Sequence, residues 1–218
     1  SGLRLYPSLD AVLEEHALDF IDVCTPPSSH APIVTTALDR GIDVLCEKPL
    51  GIEAAAMTAM AEASARSGKT LFTVHNWRYA PILSTITRWI GEGRIGRPLD
   101  VQWRVERTGP SATAGDGENW RLDPAVAGGG IVVDHGWHGI YVILEWLMRR
   151  PTAVEAVLET RRFHELCVED TADVHIEAGE ARARMFLTWA GDERKNAARI
   201  EGTDGVIEML DDHVLIST

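Results

Sequence analysis

The sequence predicts an α/β segment built on a parallel sheet, followed by an α+β segment built on a mostly antiparallel one. Three observations carry this. Short apolar runs alternate with helical stretches in the N-terminal part, as βαβ units require. A Gly-rich turn at Gly91-Glu92-Gly93-Arg94-Ile95-Gly96-Arg97-Pro98 then breaks that order and predicts a boundary between domains 1–97 and 98–218. Beyond it, strands with period-two alternation follow one another across short turns.

The elements follow in order. Ser8 offers a cap to a short helix whose apolar stripe is Leu9, Val12 and Leu13. Phe20-Ile21-Asp22-Val23-Cys24 reads as a buried strand. Ser28 or Ser29 can cap a helix reaching Arg40, and Gly41 sits where a left-handed C-cap belongs. A strand over 43–46, a helix over 53–67 ended by Gly68 and a strand over 70–74 complete the parallel set. Right-handed crossovers place the C-terminal ends of these strands along one edge, where α/β sheets bind ligands. In the second part Val101, Trp103 and Val105 alternate with Gln102, Arg104 and Glu106. A Gly/Ala/Ser/Asp stretch over 108–130 has no period, and a loop that long is functional or mobile. A helix over 131–148 follows, then strands over 153–162, 171–177, 183–189, 198–201 and 206–210. The final residues read as a strand pair around an Asp211-Asp212 turn, and the start looks like the middle of a fold. Both ends are therefore expected to be cropped.

Composition narrows the function classes. The 218 residues carry 21 Lys+Arg against 33 Asp+Glu, a formal net charge of −12. Such a field repels nucleic acid and anionic membrane, so neither partner is expected. Hydrophobic residues at 45% and charged residues at 25% are the proportions of a folded globular chain. No stretch approaches the ~20 apolar residues of a membrane helix. The opening SGLRLYPSLD lacks a signal peptide's basic start and apolar run. Cys24, Cys46 and Cys167 are widely spaced and odd in number, reading as reduced thiols of a cytoplasmic protein.

Two motifs can carry chemistry. Glu47-Lys48-Pro49 directly follows a buried strand, where a lysine can reach a reacting hydroxyl or form a plain surface ion pair. Pro49 fixes its own φ and extends Lys48. Gly128-Gly129-Gly130 precedes Asp134, His135 and His138. Asp134 and His138 are four apart on a helix, a carboxylate beside an imidazole, as acid/base work requires. A metal site at Asp134, His135 and His138 lacks further ligands, so no metal is expected, while a simple N-terminal helix acid is an equal alternative. His30 can touch a cofactor at a helix start or be a solvated first-turn residue. Arg78 can bind an anionic or polar ligand, and is counted among the cofactor-binding candidates, or it can merely cover the sheet edge. Trp120 and Arg121 can wall a substrate pocket or anchor the loop. Trp103, Trp146 and Trp189 read as core or interface.

Taken together, Asp22-Val23-Cys24-Thr25-Pro26-Pro27-Ser28-Ser29-His30, then Glu47-Lys48-Pro49-Leu50, then Gly128-Gly129-Gly130 with Asp134 and His138, resemble the Gfo/Idh/MocA family (glucose–fructose oxidoreductase, inositol dehydrogenase, rhizopine catabolism). Val168-Glu169-Asp170-Thr171-Ala172 and Ile200-Glu201-Gly202-Thr203-Asp204-Gly205 extend the likeness. The resemblance implies a partial Rossmann domain, a large open sheet behind it, and an NAD- or NADP-dependent dehydrogenase of a sugar, cyclitol or similar polyol. It implies Lys48, Asp134 and His138 as catalytic residues from the two domains, converging on one cleft. It places Thr25, Pro26, His30, Glu47, Lys48 and Pro49 against the cofactor, and it implies a homo-oligomer, dimer or tetramer, assembled through the C-terminal sheet. Pro27 stands where Asn is frequent, and Tyr141 where Asp often follows the histidine by three. The family's glycine fingerprint and first two strands have no counterpart here, about 60 residues at ~30 per βαβ unit. Within the family, an NAD-dependent hydrolase or lyase and a dinucleotide-sensing regulator are the alternatives.

Overall fold

The computed structural model describes residues 2–112 and 119–218, so residues 113–118 of the expected long loop lie outside the described residues. The chain divides into two compact units, Ser1–Val74 and His75–Thr218. The Gly-rich turn lies inside the second unit, because Leu83, Ile86 and Ile90 before it and Ile95 within it pack into one core with Val101 and Trp103 after it.

In the first unit, helix α1 (Leu9–Glu15) is capped by Ser8, whose Oγ accepts the Ala11 N–H at 3.2 Å. Strands β1 (Phe20–Val23), β2 (Asp43–Cys46) and β3 (Leu71–Thr73) form a parallel sheet in that order, joined by α2 (His30–Asp39) and α3 (Ala54–Ser67). The two helices pack with Val23, Val44 and Cys46 around Val34, Leu38, Met60 and Ala63. Burial in that core pushes the Cys46 thiol up to about 12. Gly68 ends α3 at φ +68°, a conformation that costs glycine nothing. The expected serine cap on α2 is replaced by a 3-10 turn over Pro27–Ser29. Ser29 Oγ lies 2.8 Å from both Thr25 Oγ1 and the Pro26 carbonyl, tightening that turn instead of capping the helix.

The second unit opens with α4 (Pro81–Gly91), then β4 (Pro98–Glu106), a short helix α5 (Pro124–Ala127) and α6 (Trp137–Leu147). Strands β5 (Ala153–Glu159), β6 (Thr171–Ala178), β7 (Ala181–Thr188), β8 (Lys195–Gly202), β9 (Val206–Leu210) and β10 (His213–Ser217) follow. They build a seven-stranded sheet in the order β10-β9-β8-β4-β7-β6-β5. Only the central β4–β7 pair is parallel. Helices α4 and α6 cover one face, burying Trp103, Trp146 and Met185. The other face presents Gln102, Arg104 and Arg184, as the alternation of β4 predicts.

The expected helix over 131–148 is not uniform. It begins as a wide π-type turn over Val132–Gly136 and becomes α-helical only at Trp137. Glu169, on the approach to β6, explains the irregular start. Its carboxylate accepts the Gly130 N–H at 3.0 Å and the Val132 N–H at 3.1 Å, while its carbonyl accepts Ile131 N–H at 3.1 Å. A Cβ on Gly130 would lie 2.0 Å from that carbonyl oxygen, so only glycine admits the approach.

Asp170 performs a parallel task one residue later. It is fully buried and accepts N–H groups of Arg161, Arg162 and Phe163 together with the Thr171 hydroxyl. Burial raises its carboxyl, but those N–H groups outweigh burial and hold it below the usual carboxylate range. Its folded value therefore lies below the unfolded one, so the stabilisation is present above about pH 4 and is lost as pH falls. Asp170→Asn is expected to destabilise the chain by about 1–3 kcal/mol at neutral pH. Urea denaturation of both proteins should show that gap closing in acid; a gap independent of pH refutes this account.

Candidate active site

In the first unit, the candidate residues lie at the C-terminal ends of β1 and β2. Thr25 and Pro26 lead into the 3-10 turn after β1, with Thr25 exposed. Glu47, half-buried, accepts the Lys48 N–H on Oε2 at 3.1 Å. Lys48 is half-buried and Pro49 buried, and the peptide between them is cis. His30 is not a solvated residue at a helix start. It is fully buried, with Nε2 2.8 Å from the Thr25 carbonyl oxygen and Nδ1 3.0 Å from that of Pro49. Its ring nitrogens thus face backbone carbonyls of both loops, and its contribution to any ligand site is to hold those loops together.

In the second unit, His138 is 3% exposed and held on two sides. The Trp77 indole stacks on its ring at 4.6 Å between centroids, 7° from parallel. Tyr141 Oη lies 3.0 Å from its Nδ1, and the same oxygen accepts the Trp77 N–H at 3.1 Å. His75 meets Tyr141 edge-on at 4.5 Å and stacks near Trp137. Burial, with the Arg78 charge second, lowers the pKa of His75 and keeps that ring neutral. Asp134 sits in the π-type turn, and its Oδ2 is 3.7 Å from His135 Nε2. Arg107, just after β4, is held by the Glu106 and Lys195 carbonyls and by Asn196. Its pKa is lowered by burial and by Arg194, with Asp134 among the carboxylates that oppose this.

Six candidates take positions the sequence did not decide. Arg78 pairs with Glu145 of α6 at 3.0 Å, anchoring the 3-10 turn that carries Trp77. The Arg121 guanidinium lies 4.4 Å from the Trp120 ring centre, and the Arg121 N–H reaches Asn119 Oδ1 at 3.3 Å. Trp103, Trp146 and Trp189 are core residues. Sequence reasoning missed Trp77, Tyr141 and Glu169 as parts of the His138 surroundings. The i, i+3 spacing of His138 and Tyr141 was the available signal for one of them. Among the described residues, no group of three or more His, Cys, Asp or Glu side chains is placed to hold a metal ion. None of their helices is long and apolar enough to cross a membrane.

The family models divide the chain in two. Residues 1–75 match the oxidoreductase family with an NAD-binding Rossmann fold, and residues 83–208 match the GFO/IDH/MocA C-terminal domain. The chain belongs to the Gfo/Idh/MocA family. It is 35% identical over 96 residues to D-apiose dehydrogenase of Paraburkholderia graminis, covering 44% of this chain and 26% of that protein. It is 30% identical over 206 residues to a D-xylose 1-dehydrogenase (NADP(+)) of Haloferax volcanii, covering 93% of this chain and 60% of that one. The crystal structure of GenD2 from gentamicin A biosynthesis in complex with NAD superposes with a TM-score of 0.83 at 27% identity. That match covers 95% of this chain and 58% of GenD2. The chain thus spans less than two thirds of the length of these Gfo/Idh/MocA relatives.

Polar groups in the first unit fit a dinucleotide. A hydroxyl (Thr25), a carboxylate (Glu47) and an ammonium (Lys48) stand at the carboxyl ends of adjacent parallel strands, the edge where open α/β sheets bind such ligands. Because His30 holds the loops that carry these groups, His30→Ala is expected to remove that link and to strip at least one of the two carbonyls of its N–H donor. The expected cost is about 1–3 kcal/mol per buried group left unsatisfied. Thermal denaturation checks this, and an unchanged melting temperature refutes it.

Proposed function

We propose that this chain is part of an NAD(P)-dependent dehydrogenase that oxidises a hydroxyl of a sugar, cyclitol or similar polyol. The observation that carries the reading is a buried imidazole, His138, stacked on Trp77 and hydrogen-bonded at one edge, on the segment that also bears Asp134. An imidazole changes protonation within reach of neutral pH, which suits it to carry the proton of a reacting hydroxyl. The NAD or NADP, when bound, supplies the hydride acceptor. Thr25, Pro26, Glu47, Lys48 and Pro49 would hold it, on loops set by His30. The Lys48 ammonium donates to the reacting oxygen and stabilises negative charge developing there. Asp134 orients the substrate, and Trp120 with Arg121 walls its pocket. The names of the relatives, a D-apiose and a D-xylose dehydrogenase, support the substrate class.

His138→Ala in the full-length protein is expected to lower the oxidation rate by roughly 100- to 10,000-fold, the usual worth of a general base, with little change in cofactor affinity. Lys48→Ala is expected to lower both. Steady-state kinetics and cofactor titration over a panel of polyols check this. Near-normal turnover by the His138 variant removes that residue from the mechanism.

The same reading makes the protein a homo-oligomer through the open face of the seven-stranded sheet. A concavity of about 520 Å³ lies on that face, lined by Arg104, Arg184, Phe186, Arg199 and Leu210. The Arg104 guanidinium covers the Phe186 ring at 4.5 Å. Light scattering is expected to give a dimer or larger assembly, with Phe186→Glu shifting it toward monomer. A monomeric parent protein refutes the assembly.

A further inference from the structure

Strands β4 and β8 bring two positive charges together. Their antiparallel register sets Glu106 against Lys195, and one step further along it Arg107 stands opposite Arg194. Like charges directly opposite one another on a sheet cost stability, a cost that an anion between them removes. Arg107 falls on the same side of β4 as Trp103 and Val105, which pack into the core with the helices.

Both arginines line one cavity of about 200 Å³, together with Trp77, Trp103, Asn196 and Asp211. Arg107 is half-buried and held in place. Its Nη1 donates to the Glu106 and Lys195 carbonyls at 2.7 and 3.2 Å, and its Nη2 to Asn196 Oδ1 at 2.9 Å. Those acceptors are neutral, so they fix the guanidinium without cancelling its charge. Arg194 is exposed. Asp211 adds one carboxylate to the lining, and its Oδ1 already accepts the Asn196 N–H at 2.8 Å. Two guanidinium groups against one carboxylate leave the lining positive among the described residues. Burial, then the Arg194 charge, lower the pKa of Arg107, and Arg194 acts on it more strongly than either Asp134 or Asp211.

We propose that this cavity is a binding site for an anionic group, a carboxylate or phosphate carried on a sugar, which pairs with Arg107 and Arg194 while the Trp77 indole offers apolar surface to the sugar ring. Guanidinium groups suit such a ligand, because their planar N–H forks match carboxylate and phosphate oxygens. The cavity is linked to His138 by Trp77, which lines the one and stacks on the other. On the reading of the chain as part of a polyol dehydrogenase, on which this last step rests, the substrate class narrows to sugar acids or sugar phosphates.

Isothermal titration calorimetry of the full-length protein with D-glucuronate, D-glucose 6-phosphate, inorganic phosphate and D-glucose tests the site. At least one charged sugar is expected to bind about tenfold or more tightly than D-glucose, the usual worth of a hydrogen bond to a charged group. The tighter of the two tells carboxylate from phosphate. Inorganic phosphate, which needs no sugar contacts, is expected to compete with it. Arg194→Gln removes an exposed charge and none of the hydrogen bonds that hold Arg107. It is expected to weaken the anions about tenfold and to leave D-glucose unchanged. Absence of anion binding, equal binding of D-glucose and the charged sugars, or anion binding insensitive to Arg194→Gln (as at a phosphate site elsewhere in the chain) overturns the proposal. Titration needs no turnover. Failure of the dehydrogenase reading would appear in the His138→Ala kinetics instead, and would leave these affinities unaffected.

Discussion

Everything around His138 depends on where its helix begins, and that is set by the carboxylate of Glu169. By accepting N–H groups from Gly130 and Val132, it occupies the donors that a helix start leaves orphaned. A side chain from the approach to β6 thereby fixes a segment that follows the long loop. The turn opens into a π-type geometry before the regular helix, and π-type turns concentrate at functional sites. Gly130 makes the arrangement sterically possible, since any Cβ there would meet the Glu169 carbonyl. Asp170 then fastens the neighbouring loop to the same strand with backbone hydrogen bonds of its own. Two adjacent acids thus organise backbone on either side of β6.

Aromatic rings supply the rest of the second unit's rigidity. Trp77 is stacked on His138 and tilted against Trp103, which packs on Trp146. Trp146 in turn donates its indole N–H to Thr87 of α4 at 3.0 Å. His138 is therefore linked through ring contacts to the core between α4, α6 and the sheet. A ring held in this way has little freedom left to lose, which would suit it to the proton-carrying role proposed above.

The first unit reaches a similar end by different means. Its loops after β1 and β2 are short and polar, and their common element is the buried imidazole of His30 between two backbone carbonyls. Histidine suits that place because it offers two polar atoms on opposite sides of a small flat ring. The residues suited to a ligand (Thr25, Glu47 and Lys48) are left at the loop surfaces.

The sequence by itself determined the order and type of nearly every element. Helical and strand periods, glycine stops and buried apolar runs are local signals that survive into the fold, as at Gly68 and along β4. It also singled out Lys48, Asp134 and His138 as candidates, from the order of the motifs and the resemblance they carry. Only the tertiary structure decided what lies beside them. That Trp77 stacks on His138, that Glu169 caps Gly130 and that His30 is interior are contacts between residues distant in the chain. Such contacts have no period or spacing to betray them. The irregular helix start was hidden for the same reason, because its cause is a carboxylate 39 residues away. The boundary between the units was settled by packing, which draws α4 into the core of the sheet that follows it.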